Sequence, residues 1–354
     1  MNKTLILLAA AGVAFAACKK EQVHDLVQQD QELSVMSFNH LNSKGYVEGA
    51  VFADTPYDRL HRPNYTATVE NDARTMLLSA YLTPQSGIAG DYFTGKSFKR
   101  DGNDNLWHNY LANVKAPIYW PIGGTLDFLA LSTTTAIAAE DLAWNEENAA
   151  HSFTLNAGTA FKQDDILFSS VCGRKVGTNA TVDMEFQHAQ AWIQFQLNAT
   201  ESGVITIKKI ELQDIYEKGS LNVMNNLGNA VASWNFRKEM RKDVEMDDTY
   251  GVLNTPLVVK EGSEGGADDT IGYMDMLIPE QNKTSFLITY TLKNQPDVEL
   301  KYLYTLAHEN WLMGNKYVYK INFGINEITV DPSVETFAGG NVSDFSPVDP
   351  DVIP

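Results

Sequence analysis

The residue types that carry catalysis are present in this sequence, but their spacing does not suit it. The seven histidines stand at 24, 40, 61, 108, 151, 188 and 308. No two are four apart, the spacing that sets two imidazoles on one helix face as metal ligands. His308-Glu309 begins like a zinc-protease motif, but Leu312 stands where the second histidine belongs. Asp164 and Asp165 are adjacent, and neighbours on a strand point to opposite faces, so they do not form a catalytic carboxylate pair. Gly262, Gly265 and Gly266 lie among Glu264, Asp268 and Asp269, and a loop so acidic repels phosphate instead of cradling it. Neither that loop nor the acidic run 243–248 has the ligand spacing of a calcium loop, and no Gly-x-Ser-x-Gly elbow is present. The chain reads as not an enzyme, with no metal and no other cofactor.

Composition sets the frame for the elements that must position any site. In 354 residues, 44% are hydrophobic and 20% charged, a globular balance with enough chain for two domains or one large all-β domain. Forty-five acidic against 27 basic residues give a net charge of −18. Such a surface repels phosphate backbones, which argues against a nucleic-acid partner.

The N-terminus carries an address. Lys3 precedes an apolar, Ala-rich run too short to span a bilayer, so residues 1–17 read as a signal peptide. Phe15-Ala16-Ala17-Cys18 resembles the lipobox of bacterial lipoproteins. The resemblance implies cleavage before Cys18, palmitate-type lipid on its sulfur and an outer-membrane location at the cell surface. Residues 18–32 are polar and without a period that could bury a face, and they read as the tether of that anchor. Cys172 is then left over, and reads as a small core residue.

Beyond the tether, short apolar runs recur about every ten residues between turn signals, the rhythm of an all-β chain. The first strand is 33–41, with Leu33, Val35, Met36, Phe38 and Leu41 as its apolar members. A long loop follows, carrying Lys44, Arg59 and Arg62. Further strands fall at 75–82, 117–120, 126–132, 152–155, 166–171, 182–186 and 191–197, and the same spacing continues from 204 to 323. Residues 136–150 have room for a turn or a short helix. The Gly-punctuated interval 173–179 reads as a domain boundary.

Several of these segments together resemble one family. Asp164-Asp165-Ile166-Leu167-Phe168 is followed by Met184-Glu185-Phe186-Gln187-His188-Ala189-Gln190-Ala191. Ile118-Tyr119-Trp120-Pro121 precedes them, and Asn310-Trp311 through Tyr319 and Ile328-Thr329-Val330 come after. The ordered set, behind a lipobox, resembles the fimbrillins of Bacteroidales. The resemblance implies two tandem transthyretin-like β-sandwich domains, 33–174 and 175–330, followed by a tail, 331–354. It also implies a fimbrial subunit assembled by donor-strand exchange, with other fimbrial subunits as partners and a host or bacterial surface ligand for adhesion. In such an assembly, proteolysis at Lys44, Arg59 or Arg62 removes the strand 33–41. The tail, with Val334, Phe337, Val342 and Phe345, is the candidate donor. A competing reading is a monomeric surface lipoprotein that binds glycans through Trp107, Trp120, Trp144 and Trp311.

One outcome follows from the N-terminal reading alone. Acyl chains contribute ~0.8 kcal/mol per buried methylene, so Cys18→Ser is expected to move the protein from the membrane to the soluble fraction. Fractionation followed by immunoblotting checks this.

Overall fold

The computed structural model describes residues 27–39, 75–101, 106–133, 137–157, 166–175, 181–199, 205–216, 219–236, 241–245, 257–258, 274–282, 285–305, 310–324 and 328–336. The strands of the first part are β1 (Val27–Glu32), β2 (Ser34–Asn39), β3 (Thr75–Thr83), β4 (Gly90–Arg100), β5 (Trp107–Leu111), β6 (Val114–Lys115), β7 (Tyr119–Pro121), β8 (Thr125–Thr133), β9 (Leu142–Trp144), β10 (Ser152–Ala157), β11 (Leu167–Arg174) and β12 (Thr181–His188). There follow β13 (Ala191–Ala199), β14 (Ile205–Tyr216), β15 (Gly219–Asn226), β16 (Asn229–Asn235), β17 (Arg241–Glu245), β18 (Leu257–Val258), β19 (Met274–Ile278), β20 (Gln281–Asn282), β21 (Ser285–Leu292), β22 (Gln295–Thr305), β23 (Asn310–Trp311), β24 (Asn315–Phe323) and β25 (Ile328–Thr336). The protein is all-β, and among the described residues no helix forms. Of the stretch 136–150, given room for a short helix by its sequence, the described residues 137–150 hold β9 and turns instead.

The largest sheet runs β2-β12-β11-β8-β3-β4-β5-β6, and β2 also pairs with β5, so seven of its strands close on themselves. Alternation explains which side chains go inside. On β12, Val182, Met184 and Phe186 are buried while Asp183 is exposed. They share the interior with Val35, Leu78, Phe98, Trp107 and Phe128. β8 is buried on both faces, because its outer side, through Leu129 and Leu131, packs on a second sheet of order β16-β15-β10-β9. A strand covered on both sides must be a near-continuous apolar run, and Leu126-Asp127-Phe128-Leu129-Ala130-Leu131 comes close to one.

The C-terminal unit is two sheets over one core. β19-β13-β24-β25 and β17-β14-β21-β22 contribute Ile193, Phe195, Ile210, Leu212, Phe286, Ile288, Tyr319 and Ile321. Phe195 meets Phe286 edge-on at 4.8 Å between ring centroids, a favoured aromatic geometry.

Two sequence expectations change here. The last residues of the expected tether, Val27–Glu32, form β1 and pair with β7, Glu32 opposite Tyr119. A polar strand without an apolar period is stable there because its pairing groups come from β7 and its hydrogen bonds do not depend on burying its own face. The boundary at 174/175 does not coincide with a break in the sheets either. β12 pairs with both β11 and β2, and β15 pairs with β10, so the chain returns to the first unit after building β13 and β14. The glycine-rich interval lies in sequence between two antiparallel neighbours, and a Gly-rich composition alone reads the same there as in a linker.

Phe186 lies fully buried inside the ring, whereas Trp144 is half-buried and packs edge-on against Phe153. Phe186→Ala is expected to lower stability by about 3–5 kcal/mol and Trp144→Ala by less, as read from urea midpoints.

Candidate functional site

The ring of strands has one seam, and β2 fills it. On one side β2 forms a parallel ladder with β12, from Ser34 opposite Thr181 to Asn39 opposite Phe186. On the other side a single bridge, Val35 opposite Trp107, joins it to β5. Leu33 and Val35 are fully buried within the ring's core. The Leu33 amide donates to the Ile118 carbonyl at 2.7 Å, and the hydroxyls of Ser34 and Thr181 lie 3.1 Å apart. Met36 and Phe38 hold ladder positions opposite Asp183 and Glu185. Leu41, Lys44, Arg59 and Arg62 lie outside the described residues, as does Cys18.

An ionic clasp sits where the chain passes from β1 into the seam. Glu32 Oε1 is 2.9 Å from Nδ1 of the buried His108 and 3.4 Å from the Lys115 ammonium. Lys115 also reaches Asp101 at 4.0 Å. His108 and Lys115 come from β5 and β6, so the clasp ties the N-terminal strands to one wall of the seam. Sequence reading missed it, because 76 residues separate Glu32 from His108 and no local spacing reports the contact. Close by, the Tyr92 hydroxyl donates to the Tyr119 carbonyl at 2.5 Å. Burial pushes this phenol up to about 12, so it remains a neutral donor near neutral pH.

Deep in the ring, Ser132 and Ser169 are fully buried and their hydroxyls have no hydrogen-bond partner. They sit at positions in register with the ring-lining Met76 and Ala130. A hydroxyl buried without a partner costs about 1–3 kcal/mol.

Val334 lies on β25 opposite Tyr317 and packs on the C-terminal core, so it belongs to its own sheet and is not free as a donor. The expected tail therefore starts after Thr336, and Phe337, Val342 and Phe345 lie outside the described residues. Trp107, Trp120 and Trp311 are at most 2% exposed; buried faces cannot stack on a sugar, which removes three of the four aromatics of the glycan reading. The Cys172 thiol donates to Asn225 Oδ1 at 3.2 Å. Burial and the nearby Asp127 charge push it up, so it is a weak nucleophile.

The junction between the units is built around Gln190. Its side-chain carbonyl accepts from the Ile166 amide at 2.9 Å and its backbone carbonyl from the Gly314 amide at 2.9 Å. The Trp234 indole donates to the Ala189 carbonyl at 2.6 Å. His188 is buried beside them.

The fold is a ring of strands closed by β2 and joined to a two-sheet unit. The sequence matches the fimbrillin-like family model over residues 64–336, and the chain belongs to that family. It is a family of structural fimbrial subunits of the cell surface, not of enzymes. No curated protein sequence matches the chain. Among solved structures, a fimbrial protein from Bacteroides vulgatus is similar with a TM-score of 0.51 at 13% identity, over 74% of this chain and 92% of the other. Candidate cell adhesion proteins from Bacteroides uniformis and Bacteroides ovatus both give 0.50. The first is 12% identical over 86% of this chain and 99% of its own, the second 13% over 89% and 99%. At these identities the likeness speaks for the fold.

The seam gives a direct test of its own packing. Leu33→Ala is expected to cost about 2–5 kcal/mol and to increase the rate at which trypsin acts on the chain. Denaturation midpoints and timed digests measure both.

Proposed function

We propose that this chain is a fimbrial subunit that assembles when its N-terminal segment, β1 with β2, is cut away and a strand from a neighbouring subunit takes the place of β2. The observation that carries this reading is the position of β2. It is the N-terminal member of a closed ring and is held on one side by a single bridge. The sequence that connects it to β3 carries Lys44, Arg59 and Arg62. Loss of β2 would expose the contacts of Leu33 and Val35, worth about 1.5–3 kcal/mol each, and would leave the facing edges of β12 and β5 unpaired. A strand from outside satisfies both needs at once.

While β2 remains covalently attached, it competes at an effective concentration that a separate subunit does not match. Cleavage removes that advantage. The donor in this reading is the sequence after Thr336, with Phe337, Val342 and Phe345, while Val334 stays in its own sheet. Lipid on Cys18 would hold the uncut subunit at the outer membrane, and adhesion to a host or bacterial surface would be the task of the assembled fimbria.

The experiment is limited trypsin treatment of the purified chain, with N-terminal sequencing to place the cut and light scattering to follow size. Cleavage between 44 and 62 followed by growth of oligomers is the expected outcome. If the first strand is cut and dissociates while the protein stays monomeric, the chain is not a stalk subunit.

A further inference from the structure

The sheet formed by β9, β10, β15 and β16 packs one face on the ring through Phe153, Leu155, Leu221 and Val223. Its other face is open, and its composition is unusual for this chain. Not one residue of these four strands is charged, in a protein where one residue in five is. Other strands with open faces are charged in the ordinary way. β14 carries Lys208, Lys209 and Glu211, with an ion pair of 2.6 Å between the last two, and β22 carries Asp297, Glu299 and Lys301.

The open positions form rows across the strands. Thr154 faces Asn222, which faces Ser233. In the next row Asn156 faces Ser220, which faces Asn235. The hydroxyls orient the amides: Thr154 Oγ1 donates to Asn222 Oδ1 and Ser220 Oγ donates to Asn156 Oδ1, both at 2.8 Å. Each of these two amides thus has its carbonyl oxygen engaged by a neighbouring hydroxyl across the strands. A third row sets Ser152 beside Met224 and Val231, the last two about half exposed and apolar.

We propose that this face binds a neutral, hydroxyl-rich polysaccharide. Oriented amides and hydroxyls offer paired donors and acceptors of the kind that vicinal sugar hydroxyls need, and Met224 with Val231 offers apolar contact for ring C–H groups. A face without charge avoids the heavy desolvation cost of covering ions. The acidic remainder of the protein repels acidic polymers, which makes the charge-free sheet the place where a neutral chain can lie. A protein partner fits less well, because protein interfaces draw their binding energy from aromatic and Arg anchors, with Ser and Thr under-represented. Nothing in this assignment depends on strand exchange at the seam.

The test uses the full chain on columns of immobilised mannan, dextran and galactan, with polygalacturonate as the acidic control. Retention on at least one neutral polysaccharide and none on polygalacturonate is expected. Asn156→Ala combined with Asn222→Ala should weaken retention about tenfold, the equivalent of ~1.4 kcal/mol, with an unchanged melting midpoint. Ser233→Glu, a charge placed in the centre of the face, should do the same, while Lys301→Glu on β22 should leave retention as it was. Failure of all three neutral columns, or Asn156→Ala/Asn222→Ala and Ser233→Glu variants that bind like the parent, would overturn the proposal. So would sedimentation showing that Ser233→Glu dissolves a self-associated form, which assigns the face to a second copy of the chain.

Discussion

Everything in the N-terminal unit depends on β2 lying between β12 and β5. A sheet of this curvature buries a core on its concave side only if its edges meet, and the two edges here do not meet each other. They meet through one strand that arrives from the N-terminus and supplies Leu33 and Val35 to the interior. Its hydrogen bonding is asymmetric: a six-residue ladder on β12 and one bridge on β5. The ladder is parallel, the slightly weaker of the two pairings. The clasp of Glu32 with His108 and Lys115 lies at the strand's point of entry, where it supports the weaker wall. In the intact chain the strand is thus held by a full ladder on β12 and, towards β5, by one bridge with the clasp beside it.

The second unit is different in kind. Its two sheets enclose Phe195, Phe286 and Tyr319 in mutual ring contact, and its last strand, β25, is fully laddered on β24. It needs nothing from the N-terminal segment. Gln190 joins the two units by accepting one backbone hydrogen bond from each side. The hairpin of β15 and β16, which returns to the first unit, adds Trp234 to the same junction. Its turn is tight: Gly228 has φ +91°, and a Cβ there would stand 3.3 Å from the Cys172 amide nitrogen.

How much of this was legible in the sequence depended on whether the signal was local. The short apolar run at 182–186 is a local pattern, and it marked β12 correctly. The apolar opening at Leu33 marked the start of the seam strand for the same reason. β1 was missed because its residues are polar and its partner, β7, is some ninety residues away. The boundary drawn at 174/175 falls between two paired strands, β11 and β12, because a Gly-rich sequence between neighbours in one sheet reads the same as a linker. His188-Ala189-Gln190-Ala191 stood out only as part of a family resemblance. The structure supplies its physical reason, a buried crossing point whose polar groups must be satisfied from both sides. The tryptophans left two readings open: an indole at the end of an apolar run looks alike whether its face is open or covered, and the fold covers Trp107, Trp120 and Trp311.

The central claim is that the N-terminal segment ending in β2 keeps the ring shut, and amide hydrogen exchange tests it most directly. Exchange would be followed on β12 and β5 in the intact chain and again after cleavage between residues 44 and 62 and removal of the freed strand. The account predicts that Val182 to Phe186 and Trp107 are protected in the intact protein, lose that protection when the strand leaves, and regain it when a strand from another subunit is supplied, since backbone amides exchange as their partners go. Unchanged protection on β12 and β5 after the strand has gone would contradict it.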